Sequence, residues 1–247
     1  MIKSFNLATT PERFEFALNT IKSIYEQADV IRIYLNNFIT VPKELIDKKI
    51  VTKLGPDMCC SGRLIWSEIP DQYYFIIDDD ILYPKNYSLD MIHSLNFFKK
   101  KTFISLHGKI MKKNKISSYF NDVLESFNFQ FGFPKNRYVH VIGAGVSLFN
   151  TNHVKIKLDN FKYNYMDDIE ISLQLQKQKT PAIVIAHNKN YFSSIDLFKE
   201  KGILTLHEKY KHNDKSQTNR YNELVWQINK HNIIFTLWKL NKLKIKK

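Results

Sequence analysis

The chain has 247 residues, 37 of them basic and 24 acidic, for a formal net charge of +13. That surplus asks for an anionic partner or surface: nucleic acid, acidic lipid and phosphorylated substrates all satisfy it. Hydrophobic content of 44%, with 18 Phe and 13 Tyr, supplies a full core for one large domain, or a domain with a C-terminal extension. No apolar run reaches membrane-spanning length, and the start MIKSFNLATTPERF has no signal-peptide core, so a cytoplasmic location is expected. The two cysteines are adjacent, Cys59 and Cys60, which excludes a disulfide framework or a zinc spacing and predicts reduced thiols.

Taken in order, SFNLAT reads as a first strand. The next segment, TTPERFEFALNTIKSIYEQ, opens with Thr10 as an N-cap and Pro11 at the first helical position. Phe14, Ala17, Leu18, Ile21 and Ile24 then recur at helical spacing and predict one buried face. VIRIYLNN is a second strand, VPKELIDKK a short helix, IVTKL a third strand and GRLIWSEI a helical stretch. YYFIID is a fourth strand, followed by a helix at LDMIHSLNFFKK and a strand at TFISLHG. After an irregular stretch at 111–137, YVHVIGAGVSLFN is a strand or a pair of strands, DDIEISLQLQKQK a helix and AIVIAH a late strand. Strands alternating with helices predict an α/β fold with a mainly parallel sheet covered on both faces. Ligands of such sheets gather at the carboxyl ends of the strands.

One of those ends is YYFIIDDDILYPKNY, where a buried strand runs into three aspartates. Three adjacent carboxylates repel one another, and a divalent cation removes the difficulty. Mg2+ and Mn2+ prefer oxygen ligands, and Mg2+ takes one or two carboxylates plus substrate phosphates and water. On an extended backbone Asp78 and Asp80 point to the same side and can share a metal and a ribose hydroxyl. Asp79 then faces backbone amides or a neighbouring turn. The alternative is a turn with aspartate caps.

The ordered set TTPERFEFALNTIKSI, YLNNFITVPKEL, SGRLIW, FIIDDDILYPKNY, SLHGKI, VIGAGVSLF and DDIEISLQL resembles the GT-A glycosyltransferases. The likeness is to family 2-like enzymes of bacterial capsule and surface polysaccharide synthesis, including N-acetylglucosaminyltransferases of heparosan-type capsule. It spans roughly residues 5 to 192. It implies a GT-A domain over 1–192 and a helical, basic extension over 193–247. The donor it implies is a nucleotide-diphosphate sugar, UDP first, and the acceptor a glycan or lipid-linked glycan hydroxyl. Inversion at the anomeric carbon is also implied by the family alone. Carried over, Asp80 is the direct ligand of Mn2+ or Mg2+, Asp78 reaches metal or ribose, and Asp79 joins the substrate-binding set.

The remaining site residues follow the same resemblance. Thr9, Pro11 and Arg13 lie near the nucleotide, where a helix start presents free N–H groups, and Asn36 belongs to the substrate-binding set. SGRLIW matches a segment that usually reads Asp-x-Gly-Lys. Arg63 stands for the lysine as a cation facing phosphate. Cys60 stands for the aspartate that touches the base, a poor acceptor, so Asp57 is the substitute. Asp168 aligns with the general base, with Asp167 as alternative, although helix capping accounts for both. Gly143 and Gly145 allow close backbone approach at the floor of an acceptor pocket, or form a bulge. His187, at the end of AIVIAH, is a candidate third metal ligand, and His107 also falls at a strand end.

After Glu223 no acidic residue follows, and NKHNIIFTLWKLNKLKIKK mixes six lysines with apolar residues and Trp238. That composition suits a helix in an anionic membrane interface, peripheral on the inner face, or one packed on the domain. Two other functions remain open. A metal-dependent nucleotidyltransferase also pairs carboxylates on an α/β sheet, but LATTPERF lacks the Gly-rich phosphate loop. A nucleic-acid-binding module explains the charge, but three aspartates at a binding edge repel phosphates, so no nucleic acid is expected.

Overall fold

The computed structural model describes residues 1–98, 101–194 and 214–229. Its centre is an eight-stranded sheet in the order β3-β2-β1-β4-β11-β6-β12-β9. The strands are β1 Ile2–Thr9, β2 Val30–Asn36, β3 Ile50–Gly55, β4 Gln72–Ile77, β6 Phe103–Ser105, β9 Arg137–Tyr138, β11 Val146–Asn150 and β12 Ala182–Val184. The first four run parallel, β11 runs against both β4 and β6, β12 is again parallel to β6, and β9 closes the edge antiparallel. The sheet is therefore mixed, with β11 and β9 reversed among strands that otherwise share one direction. Two small sheets accompany it: β10 Val141–Ile142 with β7 Gly108–Met111 and β8 Val123–Phe127, and β13 Ser193–Ser194 with β5 Ile81–Leu82.

The central strands form because both of their faces are covered. Phe5 of β1 lies opposite Phe75 of β4, and their rings stack with centroids 4.3 Å apart. Helix α1 (Phe14–Ile24) and helix α2 (Tyr87–Phe97) cover that face, with Ala17, Ile21, Ile24, Tyr87, Met91 and Leu95 in one cluster. Tyr74, Phe103 and Phe149 point to the opposite face, where helix α3 (Asp167–Lys177) adds Ile171 and Leu175.

Three expected helices are shorter or different. Thr10 does not cap α1 through its side chain. Pro11–Arg13 form a 3-10 turn, whose Arg13 N–H bonds Thr10 O at 3.0 Å, before α1 begins. VPKELIDKK yields only a 3-10 turn at Lys43–Leu45, since Leu45 alone is buried and offers no helical stripe. GRLIWSEI contributes to a 3-10 segment, Cys59–Leu64, in which Cys60 through Leu64 are buried consecutively. That pattern marks a chain pinned by tertiary contacts on all sides.

The described part of the extension docks onto the main body. Helix α4 (Asp214–Tyr221) brings Arg220 to the buried Glu170 of α3 at 2.5 Å, and Tyr221 stacks on Trp226 with centroids 4.3 Å apart. Both rings share a cluster with Met166, Ile169 and Leu173. The lysine-rich tail with Trp238 lies outside the described residues. Among the described residues no helix is long and apolar enough to cross a membrane.

Candidate functional site

The reversed strand β11 decides where the site lies. Because β1 and β4 are parallel, their carboxyl ends share one rim of the sheet. Because β11 is antiparallel to β4, pairing Val146 with Ile77, its amino end reaches the same rim. Gly143–Gly145 therefore meet Asp78 directly. Asp78 N–H bonds Gly145 O at 3.2 Å, and a Cβ on Gly145 would overlap the Asp78 carboxylate. A Cβ on Gly143 would overlap the His107 ring. The glycines thus make room for two side chains of the rim.

The aspartates are not an extended run. β4 stops at Ile77, and Asp79 and Asp80 form a turn. The alternation expected of a strand is lost there. Asp79 is buried and faces no backbone amide: Arg13 Nε donates to its two oxygens at 3.1 and 3.0 Å, and Arg13 Nη2 to Oδ1 at 2.5 Å. The same Nη2 reaches Asp80 Oδ2 at 3.1 Å. Burial opposes the Arg13 charge, but Asp79 and Asp80 outweigh it and hold its pKa above the ordinary value. Asp80 is pushed up to about 7 by burial and by the charges of Asp78 and Asp79, against the pull of Arg13.

Asp78 belongs to a second clamp. Arg63 is buried and donates from Nη1 to Ile77 O at 3.0 Å and to the Asp78 carboxylate; its Nε and Nη2 reach Asp167 Oδ2 at 3.2 and 2.6 Å. The resemblance implies a phosphate partner for Arg63; its contacts in this structure are to protein oxygens. Its fork is occupied by carboxylates from two elements. Tyr83 adds a further tie: its hydroxyl accepts Asp78 N–H at 2.9 Å and donates to Gly145 O.

Asp167 and Asp168 open α3, yet neither caps it. Met166 holds the N-cap position and no side-chain cap bond forms. Asp168 is half-buried and accepts the Ala144 N–H at 2.8 Å. Ser172 Oγ fixes this turn, accepting Ile142 N–H at 2.9 Å and donating to Asp168 O at 2.6 Å. Burial and the Asp167 charge push the Asp168 carboxyl up to about 7, while the Ala144 N–H and Arg63 pull it down. Lys109 of β7 stands over the Tyr119 ring, 4.2 Å from its centroid, and its charge interacts with Asp168. Burial and Lys109 lower the His107 pKa to about 4, so this imidazole is neutral at pH 7.

The other expected residues divide. Thr9 is buried at the end of β1, and Pro11 is exposed at the rim. Asn36 is buried and shapes the loop after β3, accepting Met58 N–H at 2.8 Å and donating to Cys59 O at 3.1 Å. Asp57 accepts the Cys59 N–H at 2.7 Å, and the Cys60 thiol donates to Asn164 O at 3.3 Å. His187 stands apart from the aspartates' hydrogen bonds. Its Nε2 lies 2.9 Å from Phe129 O and its Nδ1 3.2 Å from Ile185 O, so backbone carbonyls face both nitrogens where a metal would have to bind. Tyr83 and Lys109 were missed from sequence. Tyr83 sits inside the ILYP turn and Lys109 inside SLHGKI, but nothing in either string states which oxygen or ring it meets.

Among the described residues no set of three or more His, Cys, Asp and Glu side chains is arranged to hold a metal ion. A magnesium or manganese ion that shares a diphosphate needs only one or two protein carboxylates. Asp78 and Asp80 supply hard oxygens, with side chains 40% and 24% exposed, and their mutual repulsion is what a cation relieves. The donor set therefore fits such an ion. No protein-family model matches the chain, and a search of curated proteins returned no match.

Proposed function

We propose that the protein is a metal-dependent glycosyltransferase of the GT-A type. It moves a sugar, N-acetylglucosamine or another hexose, from a nucleotide-diphosphate donor, UDP first, to a glycan hydroxyl in bacterial capsule or surface polysaccharide synthesis. One observation carries the reading: the Asp78–Asp80 turn and the Asp167–Asp168 helix start converge at the carboxyl rim of the sheet, linked through Arg63. Binding groups and a candidate base would thus share that rim.

Asp78 and Asp80 would hold Mn2+ or Mg2+, which would offset the charge of the donor diphosphate. Arg13 keeps Asp79 and Asp80 in place and stays cationic at any working pH. Asp168 takes the proton of the acceptor hydroxyl as that oxygen bonds the anomeric carbon and the diphosphate leaves with the electrons of the broken C–O bond. A carboxyl held near 7 suits the task, because it is ionised in part at neutral pH and still basic enough to accept a proton. Asn36 and the loop at 56–59 border the nucleoside side. The basic tail brings the enzyme to an anionic membrane surface where a lipid-linked acceptor resides.

Calorimetry across a panel of nucleotide sugars, with and without manganese, tests the reading. Manganese-dependent binding of one donor, followed by its transfer to an oligosaccharide seen by mass spectrometry, is expected. Binding of random oligonucleotides without any manganese-dependent nucleotide binding would reject it.

A further inference from the structure

Arg63 is the point where the two halves of the site meet. Its side chain is only 5% exposed, and its four hydrogen bonds run to the end of β4 and the start of α3. The stem is fixed as well. The Tyr74 hydroxyl donates to Arg63 O at 2.6 Å, and a Cβ on the preceding Gly62 would overlap the Tyr34 ring. An arginine that binds phosphate presents its fork to the ligand. Here protein oxygens surround the fork.

Resting on the glycosyl-transfer reading above, we infer that Arg63 is a positioning residue that ties Asp78 to Asp167, and thereby sets the place and charge of Asp168; it is not a ligand of the donor phosphates. Two carboxylates from different elements repel unless a cation lies between them, and a planar guanidinium serves both with directed bonds. Fixing Asp167 fixes the rotation of the first turn of α3, and the neighbouring Asp168 then meets Ala144 N–H. The charged and titratable groups facing Asp168 are Asp167 on its own helix, Arg63, Asp78 from the end of β4, Lys109 from β7 and Tyr119. Of these, Arg63 and Lys109 are the cations. Removing Arg63 leaves Lys109 to face the charges of Asp167 and Asp78 around Asp168, so the Asp168 proton is held more tightly.

The test compares Arg63→Met with Arg63→Lys, which keeps the charge and loses the fork. Calorimetry reads UDP affinity with manganese, kinetics reads kcat and KM against pH, and carbon NMR follows the Asp168 carboxyl in ligand-free protein, assigned with Asp168→Asn. Asp78 keeps its backbone ties to Gly145 O and the Tyr83 hydroxyl, so for Arg63→Met UDP affinity and donor KM should stay within about threefold while kcat falls roughly 100-fold. The acidic limb of kcat and the Asp168 titration should both move up by about one pH unit, and Arg63→Lys should return them toward wild type. A tenfold or greater loss of UDP affinity (about 1.4 kcal/mol) with an unmoved titration would make Arg63 a phosphate ligand and overturn the inference. If Arg63→Met does not fold, Arg63→Met/Asp167→Asn removes a partner charge with the cation. Near wild-type UDP affinity in that double variant supports the positioning role, and a tenfold loss overturns it. If the wild type binds no nucleoside diphosphate and transfers no sugar, the glycosyl-transfer reading fails by itself. The carboxyl titration then decides the tie alone: a shift in Arg63→Met upholds it, and none overturns it.

Discussion

The Asp79–Asp80 turn and the Asp167–Asp168 helix start invite comparison, since each is an acidic pair beside one arginine: Arg13 bonds both members of the first, and Arg63 bonds Asp167 of the second. In both, the second carboxyl is pushed up to about 7, with burial as the first cause. Their neighbours differ. Asp80 shares its turn with two more carboxylates, and its hydrogen-bond partner is the Arg13 guanidinium at 3.1 Å. Asp168 has one adjacent carboxylate and accepts a backbone N–H, close to the positive end of a helix dipole. On the proposed reading, crowding of like charge at Asp80 favours taking up a cation, and the half-buried Asp168 with its one amide donor favours exchanging a proton. The same raised pKa would then serve two chemistries, told apart by the hydrogen-bond partners.

Substitution should separate the two pairs most sharply. Asp168→Asn should cut kcat by about 100- to 10,000-fold, the range for a lost general base, while UDP affinity with manganese stays within threefold. Asp80→Asn should do the reverse first, abolishing most of the manganese dependence of UDP binding. If Asp168→Asn retains full transfer, the proton-exchange side of the comparison breaks.

The glycines offer a finer cut. Gly145→Ala drives a methyl into the Asp78 carboxylate and should cost about 1–3 kcal/mol of stability, with weakened donor binding. Gly143→Ala drives it into His107 and should leave donor affinity nearer wild type. Equal losses of donor affinity in the two variants would mean that the rim responds as one unit.

Stability against pH gives a smaller effect with a definite sign. The folded-state pKa of Asp168, about 7, lies above an unfolded aspartate near ~3.9. Its protonation therefore favours the folded state fully below pH ~4, and that contribution is lost as pH rises toward 7. Asp168→Asn has no such loss, so its melting temperature relative to wild type should climb between pH 4 and 8, by an amount worth on the order of 1–2 kcal/mol. A flat difference across that range would deny the raised pKa. Smallest of all, Tyr83→Phe removes the hydroxyl between Asp78 N–H and Gly145 O and should cost about 1 kcal/mol in denaturant melts, with Asp168 titration unchanged.

Much of the Asp78–Asp80 end was legible because it is contiguous. An apolar run ending in aspartates marks a strand end, and Pro11 marks the start of helical backbone. The surroundings of Asp168 are assembled from Arg63, Lys109 and Ala144, which no sequence spacing relates. Arg63 and Asp167 are separated by 104 residues, and the pairing exists only because β11 turns back beside β4. The family resemblance invited Arg63 to be read as a phosphate contact and His187 as a metal ligand. In the structure both side chains face protein oxygens, a pairing that no local sequence pattern announces.

The sequence by itself determined most of the alternating elements and the acidic end of β4, because hydrophobic periodicity and local steric limits act over a few residues. Which carboxylate meets which cation was decided by the tertiary structure alone. Charge pairing depends on distance and on exclusion of water, and both are set when elements distant in the chain come together.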